Sequence, residues 1–85
     1  MAGSRVFLAR SAAQELETLP DRVLSRVLER IGLLESDPHP PESEPLPGRD
    51  RYRLRLGPYR VMYEVEEAER VITIFQINPP PEATP

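Results

Sequence analysis

Arg53, Arg55 and Arg60 stand in the segment Tyr52-Arg53-Leu54-Arg55-Leu56-Gly57-Pro58-Tyr59-Arg60-Val61-Met62-Tyr63, where charged and apolar residues alternate. Guanidinium groups are planar forks that grip phosphate or carboxylate oxygens in pairs, so three of them on one surface could hold an anion. Alternation sends Tyr52, Leu54 and Leu56 to one side of an extended chain and Arg53 and Arg55 to the other. Gly57-Pro58 supplies a tight turn, because glycine accepts the positive φ of a type II′ first position and proline suits the negative φ that follows. With that two-residue loop, Leu56 pairs with Tyr59, Arg55 faces Arg60, and Arg53 faces Met62. Like charges directly opposite each other cost stability. Such a face is either left to water or held for an anion.

The charge is local. The 85-residue chain has a net charge of −3, and its eleven basic residues are all arginine. Residues 51–60 carry +4, whereas residues 1–50 carry −3 and residues 61–85 carry −4. That distribution favours a focused anion site over diffuse attraction to nucleic acid. The ordinary explanation for the absence of lysine is a GC-rich genome, which replaces lysine codons by arginine codons. With no cysteine, neither a disulfide framework nor a thiolate metal site is available. No apolar run reaches the length of a membrane-spanning helix and the start lacks a signal-peptide pattern, so a cytoplasmic protein without membrane association is expected.

The elements that must position the arginines follow from the periodicities. Arg5-Val6-Phe7-Leu8 reads as a first strand. Ser11-Ala12-Ala13-Gln14 fits a capping box, and Ala12, Leu16 and Leu19 share one helical face before Pro20. A second helix runs from Asp21 to Leu34 or Glu35, with a stripe of Val23, Leu24, Val27, Leu28, Ile31 and Leu34 wide enough to meet both a helix and a sheet. Five prolines in residues 36–50 exclude a helix or central strand and indicate an extended connection. His39, the only histidine, sits in that loop and reads as a solvent-exposed bystander. Tyr59 to Val65 continues as a strand, Glu66-Glu67-Ala68-Glu69 turns, and Val71 to Ile77 makes the last strand. Residues 78–85 are a proline-rich tail expected to fray.

These elements predict one α+β domain over residues 1–77: an N-terminal strand, a two-helix hairpin, and a three-stranded antiparallel meander, all in one mostly antiparallel sheet. The helices cover one face of the sheet and the arginines occupy the other.

Over residues 4–77, and most specifically from Tyr52 to Val65, the chain resembles the RelE/ParE toxin superfamily; Leu33-Leu34-Glu35-Ser36-Asp37-Pro38 and Leu46-Pro47-Gly48 add to the likeness. The resemblance implies a toxin of a type II toxin-antitoxin system, held inactive by a cognate antitoxin that wraps it. RelE-type members cut messenger RNA on the ribosome, by attack of a ribose 2′-hydroxyl on the adjacent phosphate, and ParE-type members poison DNA gyrase. It implies phosphate-binding and transition-state roles for Arg53, Arg55 and Arg60, and no cofactor. Arginine is effectively never deprotonated. Glu64, four residues from Arg60 and on the same face of the strand, is therefore the candidate proton acceptor, with a structural partner for Arg60 as its other role. Asn78-Pro79-Pro80-Pro81 stands where family members commonly carry a glycine-histidine-arginine segment. Three readings stay open: a ribosome-dependent endoribonuclease, a ParE-like gyrase inhibitor, and a catalytically weakened module that acts by binding its antitoxin.

Overall fold

Strand β1 (Arg5–Leu8) gives way to helix α1 (Arg10–Glu17) after a single residue in the computed structural model, which describes residues 3–78. Ala9 is extended (φ −65°, ψ 156°), and its amide donates to the Ile74 carbonyl at 2.8 Å. The chain is thus still bonded to the sheet at the position that opens the helix. That places Ser11 inside the first turn and corrects the expected capping box. The Ser11 hydroxyl donates to the Phe75 carbonyl at 3.2 Å instead, and no side chain caps the helix.

Pro20 stands before α2 (Asp21–Leu33), with Asp21 in the first turn and Arg30 in the last, each matched to the helix dipole. Helix α1 buries Ala12 and Leu16, while α2 and its C-cap bury Val27, Ile31 and Leu34. The apolar stripe of α2 is narrower than expected, because Leu28 is 47% exposed.

Four strands follow: β2 (Ser43–Pro45), β3 (Arg51–Leu56), β4 (Tyr59–Glu66) and β5 (Val71–Asn78). They form one five-stranded sheet with β1, in the order β1-β5-β4-β3-β2. Only β1 and β5 run parallel. The α+β class, the helical pair and the antiparallel meander are as expected.

Strand β2 was not expected within the proline-rich connection. It lies at the sheet edge, where bonding on one side suffices and a proline is tolerated. Ser43 pairs with Leu54, Glu44 with Arg53, and Pro45 with Tyr52. His39, exposed as expected, is nevertheless tied: its Nε2 lies 2.8 Å from Glu67 Oε2, and its ring meets Tyr52 edge-on at 4.7 Å. Below it, fully buried Tyr63 stacks on Tyr52 and donates its hydroxyl to the Pro38 carbonyl at 2.7 Å. The proline-rich segment is thereby fastened to the sheet at both ends. The tail expected to fray, apart from Asn78 in β5, lies outside the described residues. No described helix is long and apolar enough to cross a membrane.

The β3–β4 register agrees with the sequence reading at each pair: Leu56 with Tyr59, Arg55 with Arg60, Arg53 with Met62. Gly57 has φ +60°, and a Cβ there would meet nothing within 4 Å. Substitution is therefore resisted by the backbone alone. Gly57→Ala is expected to lower stability by about 1 kcal/mol, read as a lower midpoint in urea with unchanged slope.

Candidate functional site

Leu54, Val61, Tyr63 and Val65 are buried and drawn to the helices, and that places their neighbours on the opposite face of the sheet. There β3 presents Arg51, Arg53 and Arg55, and β4 presents Arg60, Met62 and Glu64. The pairs across the two strands are Arg51 with Glu64, Arg53 with Met62, and Arg55 with Arg60. All four expected site residues (Arg53, Arg55, Arg60 and Glu64) thus share one open face.

The geometry adds a residue that the sequence reading missed. Glu44 of β2 stands opposite Arg53, and its Oε2 accepts hydrogen bonds from Arg53 Nε at 3.0 Å and from Arg53 Nη2. Arg55 Nη2 approaches the same oxygen at 3.9 Å. The Arg53 hydrogen bonds, then the Coulombic pull of Arg53, outweigh desolvation and hold the Glu44 carboxyl below the usual carboxylate range; Arg55 adds to the lowering. The chain's own carboxylate thus occupies part of the arginine face.

Strand β2 is held so that Glu44 reaches this face. The Leu46 amide donates to the Arg51 carbonyl at 2.8 Å, and the Ser43 amide and hydroxyl both donate to the Pro40 carbonyl. Arg30 of α2 pairs with Glu42 at 2.7 Å and lowers its pKa, tying the start of β2 to the helix. The signal in the sequence was slight: Leu46-Pro47-Gly48 returns the chain toward Arg51, and reading back from that turn puts Glu44 against Arg53.

Glu64 lies further along, opposite Arg51 on one side and Thr73 on the other. The carboxylate in contact with the expected arginines is therefore Glu44. Arg60 makes no ion pair among the described residues, and Arg55 is 67% exposed. An anion seated between them would relieve the repulsion of two facing guanidinium groups. No group of three or more His, Cys, Asp or Glu among the described residues could hold a metal ion.

The sequence matches, over residues 6–79, the family described as ParE toxin of type II toxin-antitoxin system, parDE. No curated protein sequence matches. Among solved structures, the chain is similar to an archaeal RelE–RelB complex from Pyrococcus horikoshii, with 36% identity, 91% of this chain and 94% of that chain covered, and a TM-score of 0.84. It is also similar to the toxin-antitoxin complex RelBE2 from Mycobacterium tuberculosis, with 25% identity, 91% and 98% covered, and a TM-score of 0.80. The isolated E. coli RelE toxin shares the fold at 16% identity, with 91% and 84% covered and a TM-score of 0.80.

Proposed function

The chain belongs to the ParE toxin family of type II toxin-antitoxin systems, within the RelE/ParE superfamily, and on that premise we propose that it inhibits translation as a ribosome-dependent messenger-RNA endoribonuclease. The observation that carries this reading is the facing pair Arg55 and Arg60, open to an anion, with Arg53 beside them already bound to a carboxylate. The 36% identity to a chain of an archaeal RelE–RelB complex supports the RelE-type over the ParE-type reading.

In the reaction, a ribose 2′-hydroxyl oxygen bonds to the adjacent phosphorus and the bond to the 5′ oxygen breaks. The products are a 2′,3′-cyclic phosphate and a 5′-hydroxyl end. Arg53, Arg55 and Arg60 stabilise the charge that grows on the phosphate oxygens, which is commonly the largest catalytic contribution. Glu44 accepts the 2′-hydroxyl proton, ahead of Glu64, because it touches the arginines that seat the phosphate. Pro79, Pro80 and Pro81 stand where relatives commonly carry a histidine and an arginine, so the leaving oxygen takes its proton from water. The protein acts in the cytoplasm and is restrained by a cognate antitoxin.

Primer extension on a defined message in a purified translation reaction tests this. Cuts confined to ribosome-occupied codons support it, and an intact message beside a folded protein sinks it. A second reading, inhibition of DNA gyrase, is favoured by the ParE description of the matched family. Arrest of supercoiling by purified gyrase, with the message uncut, would transfer the function there.

A further inference from the structure

Two large aromatic side chains share the open face with the arginines. Strand β5 has one more residue than β4 between the pairs Tyr63–Ile74 and Met62–Gln76, so Phe75 is bulged. Ile74 and Ile77 on either side are both buried, and the bulge turns Phe75 and Gln76 together to the open side. The Arg51 guanidinium reaches across β4 to lie over the Phe75 ring, 5.1 Å from its centroid. On β1, Phe7 pairs with Thr73 and is 50% exposed, with Arg5 Cζ 5.8 Å from its ring centroid.

We propose that Phe75 with Arg51, and Phe7 with Arg5, form a stacking platform for unpaired bases of single-stranded RNA whose backbone lies on Arg53, Arg55 and Arg60. The proposal rests on the RNA-cleaving reading above and extends it to the bases flanking the cut. Charge identifies the occupant: Arg5, Arg51, Arg53, Arg55 and Arg60 share this face, in a chain of net charge −3. So does continuity. Phe75 lies in the bulge opposite Met62, which pairs directly with Arg53. Successive residues on one face of a strand are about 7 Å apart, so the ring and the phosphate-binding arginines lie within a few nucleotides' reach. A base offers its π-face to a ring and its rim to a cation whatever its identity, and a paired duplex hides that face.

The test is fluorescence anisotropy with a labelled 2′-O-methyl RNA hexamer, which lacks the attacking hydroxyl, beside the same hexamer carrying abasic units. Wild type is expected to bind the base-bearing hexamer about 5- to 150-fold more tightly. Phe75→Leu is expected to remove most of that preference while leaving abasic binding unchanged. Phe7→Leu, at an exposed position, provides a second variant whose folding is not at stake. Equal binding of the two hexamers by wild type, or full preference in both leucine variants, overturns the platform and leaves the phosphate site standing. Abasic binding that survives Arg60→Ala counts against the phosphate site instead. Wild type that binds neither hexamer overturns both.

Discussion

Arg60→Ala is expected to slow message cleavage by about 10²- to 10³-fold, the usual cost of removing one preorganised donor from a developing oxyanion. Folding stability should stay within about 0.5 kcal/mol of wild type. The two expectations have one cause. Arg60 faces Arg55 across the hairpin and has no ion pair among the described residues. Removing it deletes no attraction from the folded protein and relieves a like-charge contact. A residue whose loss cripples the reaction without touching the fold is held for the substrate. Single-turnover cleavage rates beside thermal melts would check this. A rate within threefold of wild type would remove Arg60 from the site.

The second large effect is expected at Glu44. Glu44→Gln should slow cleavage by about 10²- to 10⁴-fold, the range for general acid–base assistance, whereas Glu64→Gln should change it less than threefold. The pH profile carries a sharper signature. Pairing with Arg53 favours the charged carboxylate and lowers its folded-state pKa. The pair's stabilising contribution is therefore present above the ordinary carboxylate range and fades as pH falls through the lowered folded value. A carboxylate so stabilised is a weak proton acceptor. A substrate phosphate that drew Arg53 to itself would remove the main cause of the lowering and make Glu44 more basic when a base is needed. The acid limb of kcat/KM, which reports the free enzyme, should lie at lower pH than the limb of kcat, which reports the bound complex. Coincident limbs, or an acid limb unchanged in Glu44→Gln, would exclude Glu44 as the base.

The arginine face was legible because two independent local rules agreed on it. Alternation assigned the faces, and Gly57-Pro58 fixed the register between them. What escaped had weaker local signals. Strand β2 was hidden by prolines, since a three-residue edge strand draws its stability from β3 and not from its own composition. Glu44 was missed with it. The bulge at Phe75 had left a trace: buried Ile72 and Ile74 are two apart, but the next buried residue, Ile77, is three further on. Ser11 misled because its spacing to Gln14 suits a cap, while the point where β1 turns into α1 is set by a bond from Ala9 to distant Ile74. The tie from His39 to Glu67 spans 28 residues and no local pattern announces it.

The parallel pairing of β1 with β5 also sets a clock on synthesis. Phe7 has to wait for Thr73 before it acquires its neighbour, and α1 hangs from the sheet through Ala9 and Ile74. A ribosome adds about 5 to 20 residues per second, so the first strand spends about 3 to 13 s without the strand it pairs with. The strand made last lies between β1 and β4, so earlier segments cannot close the sheet without it. Every nascent copy therefore spends seconds with its sheet incomplete.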